Sequence, residues 1–394
     1  MTKISVLVVD DSVVIRRLVT SVLSEDPSIE VVGSAASGRL ALAKIVQLRP
    51  DIVTLDVEMP DMDGLEALAE IRRTNPRLPV IMFSTVTERG AAATLDALTL
   101  GANDYVTKPT AVGSVNEAME SVRHQLLPKI KALVGRAAGA RQIGAAVPGR
   151  GQSPAPGLPS ARLARRVESA PAPASPAAPV VARRSGPPSR VDVVAIGLST
   201  GGPDALSALL PRLPTNLPVP VVIVQHMPAV FTRLFAERLT AKCSVPVHEA
   251  ADGDLVLPGH VYIAPGDYHM TLVRDGNGVR VATNQDAPDN WCRPSVNVLF
   301  RSIATVYGGS TLAVVLTGMG QDGLRGCEAL RATGAQIIAQ DEATSVVWGM
   351  PGVVATTGLA DQVLPLSEVA PEIIRLVAAG RSAVAQAVAM TGVR

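Results

Sequence analysis

Aromatic residues are scarce in this chain: four Tyr, four Phe and two Trp amount to 3% of its 394 residues. An apolar share of 47% must then rest on Ala, Val and Leu, a composition that suits parallel sheets covered by helices and excludes a fibre. Cysteine is sparse as well. Cys243, Cys292 and Cys327 are odd in number and widely spaced, which fits neither a disulfide framework nor a zinc site, so free thiols are expected. Long apolar runs are missing too. No window approaches the roughly 18 uninterrupted apolar residues of a membrane-spanning helix. The N-terminal run Ile4–Val9 stops at Asp10 and Asp11, too early for a signal-peptide core. A cytoplasmic protein without membrane insertion is the expectation.

What is present is divided unevenly. A chain of 394 residues exceeds what one core serves, so two domains are expected. Residues 136–190 carry nine Arg against a single acid, Glu168, with ten Pro and no aromatic residue. That stretch is therefore +8, and with a total of +1 the remainder is −7. Too little apolar content is present there to offset chain entropy, so a flexible tether is predicted. The resulting division is a first domain over 1–125, a linker over 126–190, a second domain over 191–380 and a tail over 381–394.

Both domains read as α/β. Strand-like runs at Ser5 to Val9, Ile52 to Leu55, Pro79 to Phe83 and Asp104 to Val106 alternate with helical periods such as Val13 to Leu23 and Leu65 to Arg72. The alternation resumes at Val191 to Ile196, Val219 to Val224, Leu312 to Thr317 and Gln336 to Ala339. Each half is thus predicted to be a parallel sheet between helices.

Ligands of open parallel sheets bind beyond the carboxyl ends of the strands. In the first domain those positions hold Asp10, Asp11, Asp56, Ser84, Lys108 and Pro109. Three neighbouring carboxylates repel unless a cation offsets them, and an all-oxygen set suits Mg²⁺. With the cation and Lys108 neutralising an incoming phosphoryl group, one carboxylate can attack in line, and Asp56 is best placed to do so. Ser84 can then donate to the new phosphoryl oxygens, and Tyr105 can follow the movement of that loop. For a single acid, a helix cap at Ser12 would be the simpler role; the joint placement points to the site. On these residues, 1 to about 125 resemble a response-regulator receiver domain, which implies a flavodoxin-like (βα)5 fold. By that resemblance Asp56 is the phosphoacceptor, Asp11, Asp56 and the Glu58 carbonyl hold Mg²⁺, and Ser84 and Lys108 recognise the phosphoryl group.

In the second domain Gly197-Leu198-Ser199-Thr200-Gly201-Gly202-Pro203 follows a strand and matches the elbow that exposes a nucleophilic serine on a tight turn. A dinucleotide fingerprint would need glycine in place of Ser199, and a phosphate-binding Walker loop would need Gly-Lys-Ser/Thr at Gly202-Pro203. A serine needs a base. His226, in Val224-Gln225-His226-Met227-Pro228, follows a strand on the same sheet edge, and His269 is its main competitor, whereas His248, His260 and His124 lie elsewhere. Asp322 in Gly318-Met319-Gly320-Gln321-Asp322-Gly323 can orient the base.

Residues 191 to about 370 resemble the catalytic domain of the bacterial chemotaxis protein-glutamate methylesterases. The matching stretches include the Ser199, His226 and Asp322 segments, Ala264-Pro265-Gly266, Arg293-Pro294-Ser295-Val296, Ala339-Gln340-Asp341-Glu342 and Gly349-Met350-Pro351. The resemblance implies a doubly wound sheet and a triad of Ser199, His226 and Asp322, with Thr200 and Met319 in the segments shaping the oxyanion site. It also implies demethylation and deamidation of chemoreceptors, a chemosensory histidine kinase as phosphodonor, no cofactor at the hydrolase site, and a monomer. Asn297 stands where an aspartate is expected, a departure expected to alter substrate contacts. The acidic folded parts and the lack of a helix-turn-helix exclude nucleic acid as partner.

Overall fold

The computed structural model describes residues 3–109, 114–144, 190–276 and 278–391, with the side chains of 115, 136–144 and 382–391 outside the description. The stretch 145–189, where the flexible tether is predicted, lies outside the described residues.

The N-terminal half runs β1 (Ile4–Val9), α1 (Val13–Ser24), β2 (Ile29–Ala35), α2 (Gly38–Leu48), β3 (Ile52–Asp56), α3 (Gly64–Thr74), β4 (Val80–Ser84), α4 (Glu88–Thr99), β5 (Asp104–Thr107) and α5 (Val115–Gly144). Its five strands are parallel in the order β2-β1-β3-β4-β5, the flavodoxin-like order. The central strands are buried on both faces, as a sheet covered by helices on both sides demands. Ser12 caps α1, and its own amide donates to Asp10 Oδ1 at 2.9 Å. The hydroxyl does the capping, which leaves the second Asp10 oxygen to Lys108. Helix α5 continues through 126–144, where the linker is predicted to begin. Leu126, Ile130 and Leu133 are buried at helical spacing, and that apolar stripe prolongs the helix past the expected boundary.

The C-terminal half runs β6 (Val193–Leu198), α6 (Gly202–Leu209), β7 (Val221–Gln225), α7 (Ala229–Lys242), β8 (Val247–Glu249), β9 (Val261–Ile263), β10 (His269–Asp275), β11 (Gly278–Asn284), α8 (Val296–Val306), β12 (Thr311–Val315), α9 (Leu324–Ala332), β13 (Gln336–Gln340), α10 (Met350–Thr356), β14 (Gln362–Leu364) and α11 (Leu366–Thr391). Seven parallel strands lie in the order β14-β13-β12-β6-β7-β9-β8. The chain leaves β6 toward β7 and later returns to pair β12 on its other side. The crevice beyond β6 is therefore a topological switch point, where such sheets bind ligands. The antiparallel hairpin β10–β11 is an addition that the strand alternation does not reveal. Residues 381–391, expected as a tail, continue α11.

The two halves touch. Tyr105 stacks on Phe231, with ring centroids 4.8 Å apart and planes 6° from parallel. Arg238 pairs with Asp96 at 2.7 Å and Arg233 with Glu88, linking α7 to α4. Val346, Val347 and Met319 of the second half pack into the apolar cluster that holds Val106, Val122 and Leu126. An aromatic pair adds about 0.5–1.5 kcal/mol beyond its burial, and ion pairs this exposed about 0–1 kcal/mol each. Contacts of that size can be reversed by a local change.

Candidate active site

Three loops at the carboxyl ends of the adjacent strands β12, β6 and β7 build the second-domain site. Register sets Val315 beside Gly197 and Gly197 beside Val224, so the residues that follow, Asp322, Ser199 and His226, emerge on one edge. Ser199 sits in a turn closed by its amide donating to Thr317 O at 3.0 Å and by Gly202 N donating to Ser199 O at 2.8 Å. Gly201 has φ +78°, and a Cβ there would meet Val346 at 2.5 Å; a Cβ on Gly318 would lie 3.0 Å from both Ser199 N and Ser199 Cβ. A side chain at Gly201 would be strained and crowd Val346, and one at Gly318 would press on the serine itself.

His226 Nε2 meets Asp322 Oδ2 at 2.9 Å. Asp322 is buried, and its two oxygens also accept from Ser295 Oγ and from the amides of Val296, Asn297 and Gly323 at 2.7–3.0 Å. Burial works against the Asp322 charge, but these donors, His226 foremost, outweigh it and hold the carboxyl below its ordinary value. An ionised Asp322 accepts only, so the proton lies on His226 Nε2 and Nδ1 is the nitrogen left to serve as base.

Nδ1 does not meet Ser199. Cys292 Sγ lies 3.6 Å from it, and among the described residues the Ser199 hydroxyl has no hydrogen-bond partner. Burial also disfavours a charged imidazole, yet Cys292 and Asp322 outweigh it and push His226 up to about 10. A base must be neutral to accept a proton, so this is a resting arrangement.

Thr200 follows Ser199 in the chain, and Met319 follows Gly318, where a Cβ would lie 3.0 Å from Ser199 Cβ. Neither main-chain amide donates a hydrogen bond among the described residues, which leaves two N–H groups free beside the nucleophile. The Thr200 hydroxyl points away and donates to Asp104 Oδ2 of the first half at 2.6 Å. His269, the competing base, is buried, with Nε2 on Ala287 O at 3.2 Å and Nδ1 accepting from Ser295 N at 3.2 Å. Both of its nitrogens are occupied, so it braces the wall. His248 and His260 bond each other, 3.0 Å apart, and His124 pairs with Glu120. Asn297 faces inward: Oδ1 accepts from Gly323 N and Gly326 N, and Nδ2 donates to Asp289. It supports the start of α9 and the Asp322 loop, which corrects the expectation that this departure reaches the substrate.

Cys292 is the residue that sequence reasoning set aside. Its only signal was its place directly before Arg293-Pro294-Ser295-Val296, one of the segments that carry the resemblance.

At the first-domain site, Asp10, Asp11 and Asp56 present ligand atoms within 4.8 Å of one another. Lys108 Nζ lies 2.9 Å from Asp10 Oδ2 and 2.7 Å from Asp56 Oδ2, and these two buried oxygens have no other donor. Burial raises both carboxyls, Asp56 to about 6 with a contribution from Asp10 that Lys108 opposes. Burial lowers Lys108 in turn, but Asp56 and Asp10 outweigh it and the ammonium is raised overall. The donor set and the two under-satisfied oxygens fit a hard divalent cation. The Glu58 carboxylate turns to Arg89 at 3.6 Å, leaving only its carbonyl for such an ion. Ser84 Oγ donates to Gly90 O at 3.1 Å and so points away from Asp56.

Comparison with known proteins places these sites in context. The CheB methylesterase family model matches residues 194–373, and the response regulator receiver domain model matches 6–120. A protein-glutamate methylesterase/protein-glutamine glutaminase of Trichodesmium erythraeum is 52% identical over 375 residues, covering 95% of this chain and 99% of its own. One of Nocardioides is 52% identical over 391 residues, covering 99% of this chain and all of its own. Among solved structures, the Thermotoga maritima CheB methylesterase catalytic domain is 43% identical, covers 48% of this chain and 99% of its own, and has a TM-score of 0.47.

Proposed function

The chain belongs to the receiver-linked CheB methylesterase family, and from that premise we propose that it demethylates glutamyl methyl esters of chemoreceptors and deamidates their glutamines under control of phosphorylation at Asp56. The observation that carries the hydrolytic part is the His226–Asp322 pair at the same sheet edge as the half-buried turn of Ser199.

Ser199 Oγ attacks the side-chain carbonyl of the substrate and His226 Nδ1 takes its proton. Asp322 holds the imidazole in the tautomer that frees Nδ1. The tetrahedral oxyanion takes hydrogen bonds from the Thr200 and Met319 amides. His226 then returns the proton to the leaving group, methanol from the ester or ammonia from the amide. Water, deprotonated by His226, cleaves the resulting glutamyl-serine ester and releases glutamate. Both substrates pass through one geometry, so one site serves both. For this the Ser199 hydroxyl must turn toward Nδ1, a closure that substrate binding supplies.

At the receiver, Asp56 attacks the phosphoryl group of a histidine kinase phosphodonor while Lys108 offsets the charge. Asp10, Asp11, Asp56 and the Glu58 carbonyl would hold Mg²⁺, which supplies further positive charge to the phosphoryl oxygens. Rotation of Ser84 toward the new phosphoryl group would release its bond to Gly90 in α4, which faces α7 through Arg238 and Arg233. Tyr105 and Asp104, one strand over, hold Phe231 and Thr200. The docked receiver restrains the hydrolase by these contacts, and phosphorylation shifts the population toward an undocked form.

Methanol release from methylated receptor, measured with and without a small-molecule phosphodonor and Mg²⁺, tests both parts. Near-normal turnover by Ser199→Ala would sink the hydrolytic assignment, and turnover indifferent to phosphodonor would sink the regulatory one.

A further inference from the structure

We propose that Cys292 and His226 form a binding site for a soft divalent cation of the Zn²⁺ class, and that occupancy of this site silences the hydrolase. Cys292 Sγ stands 3.6 Å from His226 Nδ1. With Zn–N near 2.0–2.1 Å and Zn–S near 2.3 Å, two ligands at a tetrahedral angle lie about 3.5 Å apart. The pair is therefore already spaced as ligands of one metal.

Three further features suit that role. Asp322 accepts from His226 Nε2 at 2.9 Å, the outer carboxylate that orients a metal-binding imidazole through its other nitrogen. Cys292 is held by a two-residue turn: Asp289 N and O bond Cys292 O and N at 3.2 and 3.0 Å, with Asn290 and Trp291 at φ +51° and +63°. The turn is anchored in turn by Asp289 to Arg301 at 2.6 Å and to Asn297 at 3.1 Å. Cys292 is half-buried and the His226 side chain keeps 15% of its surface exposed.

Asp322 stands on the Nε2 side of the same imidazole, its oxygens already accept from five donors, and it stays outside the coordination sphere. Two protein ligands leave the remaining positions to water, so binding is reversible and weaker than at a structural zinc site. Ligand softness separates this site from the receiver: sulfur and imidazole select Zn²⁺, and the oxygens of Asp10, Asp11 and Asp56 select Mg²⁺. The inhibitory consequence rests on the proposed role of His226, because a metal on Nδ1 takes the lone pair that would accept the Ser199 proton. The binding itself does not rest on that role.

The test uses the full-length protein in excess Mg²⁺, which fills the receiver cluster, with a His248→Ala background to remove the surface His248–His260 pair. Co²⁺ titration should produce a thiolate-to-metal charge-transfer band that saturates at one equivalent and is missing in Cys292→Ala. Micromolar Zn²⁺ should lower methanol release at least tenfold, reversibly with chelator, and Cys292→Ala should keep its turnover under the same Zn²⁺. No thiolate band, or a band that Cys292→Ala retains, overturns the site and makes the contact a hydrogen bond only. A Cys292-dependent band without inhibition upholds the metal site and overturns the role of Nδ1 as the base, so the two failures are distinguishable.

Discussion

Asp56 and Asp322 are both buried at the carboxyl-end edge of a parallel sheet, one closing β3 and the other in the loop after β12, yet their acidities move in opposite directions. Asp322 is surrounded by donors and is held below its ordinary value; Asp56 shares Lys108 with a second buried acid and rises to about 6. Burial acts on both alike. The count of donors per carboxylate decides the sign, and with it the use of the site. A saturated carboxylate orients a base and needs no metal. An under-satisfied cluster calls for a cation and can hand one oxygen to phosphorus.

The contrast can be broken most severely at the nucleophiles. Ser199→Ala should cut methanol release by about 10⁴-fold or more, while Asp56→Asn should leave basal release in place and abolish only the response to phosphodonor. Next in size is Asp322→Asn, which keeps the shape but admits the wrong imidazole tautomer; kcat should fall by about 10³–10⁴-fold.

Stability should separate the two acids by sign. The folded value of Asp56 lies above its unfolded one, so its ionisation penalises folding at neutral pH, and the penalty fades as pH falls from about 6 toward 3.8. Without metal, Asp56→Asn should therefore gain on the order of 1–3 kcal/mol near pH 7 in urea unfolding, an advantage lost in acid. Asp322 is depressed, so it contributes stability above the ordinary carboxylate range that disappears in acid, and Asp322→Asn should lose stability where Asp56→Asn gains it. Added Mg²⁺ should stabilise the parent protein and not Asp56→Asn, a difference readable by thermal unfolding.

The smallest effects concern the contact between the halves. Phe231→Ala removes the stack on Tyr105 and should raise basal, phosphodonor-free release by about fivefold, the equivalent of about 1 kcal/mol. Arg238→Ala should do less, because ion pairs this exposed contribute little. A basal rate unchanged in both variants would separate the docked arrangement from regulation.

Much of this was legible in the chain. The strands that carry the two sites appear as short apolar runs, and the chemistry ends them or follows within seven residues: Ser199 after β6, His226 after β7, Asp56 at the end of β3, Lys108 after β5, and Asp322 past β12. Other elements were hidden for physical reasons. The continuation of α5 past 126 rests on an apolar stripe of three residues inside basic and small ones, and β10–β11 is a hairpin within a parallel pattern. The place of Asn297 depends on Asp289 and the α9 amides, which local spacing does not disclose.

By itself the sequence determined which groups stand at strand ends, because strand period and turn chemistry are local and each motif is read within a dozen residues. Only the tertiary structure decided which groups share a neighbour. Cys292 lies 66 positions from His226, and Thr200 lies 96 from Asp104. Acidity, base tautomer, metal preference and docking all depend on distances of a few ångströms between such segments, and those distances are products of packing.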